Sequence, residues 1–330
     1  MREAIRPSLA PSPAGAAPAR DPRVYADLRR LAALQFKAKG FSFLPRQPVH
    51  SVLSGRHASR IRGRGLNFEE IRAYRPGDDV RSIDWKVTAR MRAAHTRVFT
   101  EERDRPVLLL VDQRQDMFFG SVAYMKAVTA AEAAALAAWR VLDQGDRVGA
   151  LVFDDRDIEQ IRPHRSRRSV MHILESVVRK NHALQAQADH TPNAAMLDQA
   201  LEEAARIAGH DHLVCIISDF AGAGDQTEGL LRRLAVHNDL LAVLVHDPAA
   251  KELPASADLV ASDGRLQATL PLGSAVARRD LTAFSRGRIE RVLAWQKTLG
   301  LAVLPVDTAD EVAPQVRRLL GQTRGAARAR

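Results

Sequence analysis

Past Pro106 the chain settles into a pattern in which short apolar runs alternate with longer stretches of helical periodicity. The run 107–111 is continuously β-branched or leucine, the signature of a strand buried on both faces. The segment 122–142 has no Gly or Pro; Met125, Val128, Leu136, Trp139 and Leu142 give it an apolar face, and Gly145 stops it. The same reading predicts strands at 148–153, 213–218, 240–246 and 301–306, and helices at 166–180, 193–208, 228–236, 280–299 and 311–320. This alternation predicts an α/β fold, a doubly wound and mostly parallel sheet of roughly six strands with helices on both faces. In such sheets ligands sit beyond the carboxyl ends of the strands.

Upstream the pattern differs. Residues 1–22 are rich in Ala and Pro and predict a flexible tail. Leu28, Leu31, Leu34 and Phe36 then recur at near-helical spacing up to Gly40, predicting a short helix at 24–38 that opens a smaller mixed lobe over 23–105. The α/β domain is expected over 106–322, with a basic tail at 323–330.

Composition narrows the function classes. With 46% hydrophobic and 27% charged residues the chain lies among globular proteins. Its net charge of +10 invites a polyanion partner. Yet the arginines between 56 and 105 alternate with Glu69, Glu70, Asp78, Asp79, Asp84, Glu101, Glu102 and Asp104, which suits internal ion pairing better than a phosphate track. There is no aromatic-rich stacking motif and no zinc-finger spacing, so nucleic-acid binding through the arginine-rich lobe is the weaker reading. The single cysteine, Cys215, lies inside the apolar run 213–217 and reads as a buried strand residue; with no disulfide possible within the chain, a reducing compartment fits. Pro11, Pro13 and Pro18 break any signal-peptide core, and the apolar stretch 133–139 is too short for a bilayer, so a cytoplasmic protein without a membrane span is expected.

Catalytic signatures are scarce. No Gly-Lys-Ser/Thr string forms a phosphate loop, the Gly63–Gly65 pair lacks the third glycine of a dinucleotide fingerprint, and neither a G-x-S-x-G elbow nor an H-E-x-x-H helix occurs. The positive signal is one of position. Asp112 ends the first buried strand, Asp219 ends the strand at 213–218, and Thr191 opens a helix between them. Two carboxylates and a hydroxyl could therefore converge on one hard cation, although an aspartate after a strand also serves simply as a helix cap.

The segment 60–90 is dense in acids, arginines and aromatics, and reads as a hydrogen-bonded ion-pair framework bracing a compact lobe. Its string E-E-I-R-x-Y-x-P-G-D-D-V-R-x-I-D-W-K-x-x-A-R supplies Glu69, Arg72, Tyr74, Pro76, Gly77, Asp78, Asp79, Arg81, Asp84, Trp85 and Lys86. On that string the chain closely resembles the bacterial family catalogued as domain of unknown function 58, over about residues 50 to 320. The resemblance implies a von Willebrand factor A-like domain after the motif. It also implies a genomic association with MoxR-type AAA+ ATPases.

Domains of that kind usually hold Mg²⁺ in a D-x-S-x-S loop completed by a later Thr and Asp. Asp112, Thr191 and Asp219 match, but the two serine positions are Arg114 and Asp116. Arginine has no acceptor, and octahedral Mg²⁺ demands oxygens at about 2.1 Å. A guanidinium about 5 Å from a divalent ion would repel it by roughly 7 kcal/mol at an effective dielectric of about 20. No cofactor is therefore expected, and Mg²⁺ is disfavoured. Instead, Arg114 among Asp112, Asp116 and Asp219 would supply the positive charge itself; the other arrangement, with Arg114 turned to solvent and Asp116 serving as a ligand, stays open at this point. The function that follows is a non-enzymatic protein-binding adaptor working with a MoxR-like AAA+ ATPase on an unidentified client protein. The competing class is a metal-dependent hydrolase using Asp112, Asp116 and Asp219.

Overall fold

The structure, a computed structural model, describes residues 20–39, 66–75, 79–101, 105–185, 193–250, 259–262, 267–270 and 275–325. A helix α1 (Leu28–Ala33) is capped by the Asp27 carboxylate, which accepts from the Arg30 N–H at 2.8 Å. Strand β1 (Leu66–Ala73) pairs antiparallel with β2 (His95–Glu101), and α2 (Trp85–Met91) lies between them in sequence. The strands β3 (Val107–Asp112), β4 (Val148–Phe153), β5 (Ile158–His164), β6 (Leu213–Ser218) and β7 (Asp239–His246) follow, interleaved with α3 (Lys126–Asp143), α4 (Arg167–His182), α5 (Ala195–Ile207) and α6 (Asp225–Ala235). A small hairpin, β8 (Leu259–Ser262) with β9 (Gln267–Leu270), precedes α7 (Ala275–Thr298), β10 (Ala302–Asp307) and α8 (Val312–Gly325).

Six strands form one sheet in the order β10-β7-β6-β3-β4-β5. All neighbours are parallel except β4 and β5. The strands predicted at 107–111, 148–153, 213–218, 240–246 and 301–306 are thus β3, β4, β6, β7 and β10. The sixth, β5, had no clear signature: I-E-Q-I-R-P-H alternates poorly, and its Pro163 cannot donate to a ladder. It forms an edge because Gly149 in β4 makes room for a bulge; a Cβ on Gly149 would lie 2.6 Å from the Ile161 carbonyl oxygen and from the Pro163 nitrogen.

Alternate residues of β3 face opposite layers. Val107, Leu109 and Val111 pack with α1, α3, α4 and α8, whereas Leu108 and Leu110 pack with α5, α6 and α7. Helix α3 is alanine-rich, which favours helix and lets neighbours approach closely, and it is buried almost all round. It ends at Gly145, whose φ of 86° suits glycine alone. The N-terminal helix joins this body: Leu31 and Leu34 are buried in the α3 layer, and the Trp139 indole donates to the Leu31 carbonyl at 3.1 Å. Residues 23–39, assigned with the lobe on sequence, therefore share the core of the α/β body. Cys215 is fully enclosed in β6, where burial pushes its thiol up to about 12. Among the described residues no helix is long and apolar enough to cross a membrane.

Candidate functional site

Strands β3 and β6 are neighbours, but the chain leaves β3 toward β4 on one side and returns at β6 on the other. Such a point, where the strand order reverses, opens a crevice at the carboxyl ends. Asp112 ends β3 there and is completely buried. Its Oδ1 accepts from the Arg114 backbone N–H at 3.0 Å and from Nε at 3.1 Å; its Oδ2 accepts from Nη2 at 2.7 Å and from the Ser218 hydroxyl at 2.6 Å. The Arg114 guanidinium, with its side chain 1% exposed, also donates to the carbonyls of Ala221 at 3.1 Å and Ala194 at 3.4 Å. One planar cation thus ties together the turn after β3, the start of α5 and the turn after β6. Burial alone would lower the Arg114 pKa, but the charge and hydrogen bonds of Asp112, with the charges of Asp219 and Asp116, together outweigh it and raise the value.

Asp219, just beyond β6, has a separate partner. The Lys126 ammonium bonds its Oδ2, Arg288 of α7 approaches the same oxygen at 3.4 Å, and Oδ1 accepts from the Ala221 N–H at 2.9 Å. Burial pushes this carboxyl up, but the charges of Lys126 and Arg288 win and hold its pKa at about 2. Lys126 opens α3, the end of a helix where a cation opposes the macrodipole. Its placement there is offset by Asp219. Neither Lys126 nor Arg288 was singled out in the sequence: one reads as a solvated helix start, the other as one arginine among many.

The turn 219–222 is strained. Phe220 has a φ of 56°, fixed by its N–H donating to the Ser218 hydroxyl at 2.8 Å and by its ring meeting Trp295 edge-on at 5.6 Å. Gly222 has a φ of 81°, and a Cβ there would sit 2.6 Å from the Ala194 Cβ. Gly222→Ala is expected to cost roughly 1–3 kcal/mol, since it adds backbone strain and pushes apart the two carbonyls that hold Arg114. Urea unfolding of the full chain measures this, and a loss below about 0.5 kcal/mol, the size of an ordinary surface change, would contradict it.

Asp116 lies in the 3-10 turn 115–117 that follows Arg114. Burial and the neighbouring Asp219 raise its pKa, with Arg114 and Lys126 partly opposing. Asp155, after β4, accepts the N–H groups of Gln115 at 2.6 Å and Asn193 at 2.7 Å, locking the turn to the entry of α5. After β7, the neighbour of β6, Asp247 accepts from Ser121 N–H at 2.9 Å and Thr308 hydroxyl at 2.6 Å. Arg114 thus interacts electrostatically with Asp112, Asp219 and Asp116 but hydrogen-bonds Asp112, while Lys126 and Arg288 hold Asp219. Thr191 lies outside the described residues.

The Mg²⁺ ion implied by the family resemblance does not fit this arrangement. Both Asp112 oxygens and both Asp219 oxygens are engaged by internal donors. Among the described residues no three His, Cys, Asp or Glu side chains gather closely enough to hold a metal ion. No reaction step is derived through such an ion.

Within the motif, Pro76, Gly77 and Asp78 fall outside the described residues, and Glu69 is placed only as part of β1. The Arg72 guanidinium donates to the Ala73 carbonyl at 3.1 Å, and Tyr74 N–H to the Ala94 carbonyl at 2.8 Å. Asp79 caps the 3-10 turn 80–82 through the Arg81 N–H at 3.0 Å; Asp84 caps α2 through Lys86 N–H at 3.0 Å and Val87 N–H at 3.1 Å. These two carboxylates act on backbone. Trp85, expected inside a framework, is instead 70% exposed.

A family model described as "Protein of unknown function DUF58" matches residues 70–288. Uncharacterized proteins of Mycobacterium bovis and Mycobacterium tuberculosis are each 30% identical to the chain over 311 residues, covering 93% of it and 92% of their own length.

Proposed function

This chain belongs to the DUF58 family of proteins of unknown function, and we propose that it is a non-enzymatic, protein-binding adaptor built on a von Willebrand factor A-like domain. The strand order, with one antiparallel edge and the crevice at the reversal point, supports that domain type. One observation carries the functional reading: the buried carboxylates at the crevice are neutralised from within by Arg114, Lys126 and Arg288. A carboxylate that must activate water or hold a catalytic ion needs a vacant oxygen facing its substrate. Asp112 and Asp219 offer none, so the cluster orders the surface loops as a rigid recognition surface. From the family resemblance we take the partner to be a MoxR-type AAA+ ATPase in the cytoplasm, acting with this chain on another protein.

The experiment is purification of the tagged full-length chain from lysate of its own organism, with and without ATP. Co-elution of an AAA+ ATPase in a nucleotide-dependent manner is expected. Recovery with no ATPase in either condition, or phosphoester or peptide hydrolysis with added divalent metal that is lost in Asp219→Asn, would overturn the proposal.

A further inference from the structure

The β1–β2 lobe has an unusual balance. Among its described side chains only Asp84 and Thr96 are buried, both polar; Ile83 and Val87 are half-buried, and the other large apolar side chains are exposed. Trp85 is 70% exposed, Met91 62% and Val80 60%. All three lie on the segment formed by the 3-10 turn 80–82 and α2. Each stands next to an exposed cation in sequence: Val80 beside Arg81, Trp85 beside Lys86, and Met91 between Arg90 and Arg92. Asp79 is the one exposed acid between residues 79 and 92, since Asp84 is turned into its cap. The segment 79–92 therefore presents a positively charged face, with isolated apolar anchors set among the charges.

That interleaving selects the partner. Protein–protein interfaces also favour Trp, Met and Arg, but they lose charge at their buried core, and here every anchor adjoins a charge. Single-stranded nucleic acid asks for successive aromatic platforms, and two of these three anchors are aliphatic. A bilayer surface asks for neither: tryptophan settles at headgroup level, aliphatic side chains enter just below, and arginine and lysine meet lipid phosphates without any shape complementarity.

We propose that this lobe docks the protein on the surface of an anionic lipid bilayer, with Trp85, Val80 and Met91 entering the interface and Arg81, Lys86, Arg90 and Arg92 facing the headgroups. The proposal concerns a different surface from the crevice and stands without the adaptor reading. Trp139 and Trp295 are buried, so quenching of tryptophan fluorescence by acrylamide reads Trp85.

The full-length chain is mixed with vesicles of phosphatidylcholine alone or of equimolar phosphatidylcholine and phosphatidylglycerol, then sedimented. Binding to the phosphatidylglycerol vesicles, a blue shift with protection from acrylamide, and release by high salt are expected. Trp85→Ala should weaken binding about tenfold. Each of Lys86→Ala and Arg90→Ala should weaken it about fivefold. Equal binding to both vesicle types, sedimentation with Trp85 still open to acrylamide, or no vesicle binding alongside capture of an oligonucleotide or polyglutamate would overturn the proposal. The fluorescence of the unmutated chain decides it even if a variant fails to fold.

Discussion

Arg114→Ala is expected to destabilise the full-length protein by about 3–5 kcal/mol, the cost of stranding one half of a buried ion pair. The substitution leaves Asp112 in a fully enclosed site with only the Ser218 hydroxyl and a backbone N–H, and removes the donor from the carbonyls of Ala194 and Ala221. The double variant Asp112→Leu with Arg114→Met should recover much of the loss, because apolar replacement of a whole buried pair is often neutral. Equilibrium urea unfolding of the native chain, the single variant and the double variant reads both effects. A single-variant loss under about 1 kcal/mol, in the range of an exposed pair, would show that Arg114 does not hold the crevice together. Calorimetric titration gives an independent check. Heat of Mg²⁺ or Mn²⁺ binding to the native chain, lost in Asp112→Ala, would sink the view that arginine stands where an ion would.

The second large effect concerns the neighbouring pair and is a function of pH. Asp219 has a folded pKa of about 2 against an ordinary value of 3.8. A carboxyl depressed in the folded state contributes stability that is complete above its unfolded pKa and disappears as pH falls through the folded one. For Asp219 that window runs from about 4 down to about 2, and the contribution is of order 2 kcal/mol. Lys126→Met keeps the length of the side chain but removes the charge, leaving Arg288 and the more distant Arg114 to face the carboxylate. We expect the variant to be about 3 kcal/mol less stable at pH 7. Its deficit relative to the native chain should shrink as the pH is lowered from about 4 to about 2. Urea midpoints collected across that range test the sign. A deficit that stays constant with pH would mean that Lys126 matters for packing and not for charge.

How much of this was legible in the sequence depended on how locally each feature is encoded. The central strands were readable because burial on both faces makes them apolar without interruption, as in V-L-L-L-V and L-V-C-I-I. Helix α3 was readable because its composition and its closing Gly145 agree. Strand β5 was not, since an edge strand with one partner, a bulge and a proline meets fewer constraints and shows less pattern. At the site, Asp112, Arg114 and Asp219 were found because strand ends can be located from the runs that precede them. Lys126 was missed because its partner lies 93 residues away, and a lysine beginning a helix usually faces water. The available clue was that α3 is apolar on every side, so even its first residue had little solvent to reach. The exposure of Trp85 was not legible at all: an aromatic among charges can face either way, and only the tertiary arrangement shows it standing out.

The two borders of the sheet carry a further consequence. β5 has Pro163 within its bulge, and β10 has Pro305 midway along its length. Each proline lacks an N–H to give to a ladder and is the residue type sheets confine to their edges, and the bulge interrupts the regularity of β5. Addition of a strand from outside, one route by which a sheet recruits peptides or its own copies, is thereby disfavoured at both ends. A contact made by the large sheet would therefore run through its loops and helices, not through an added strand.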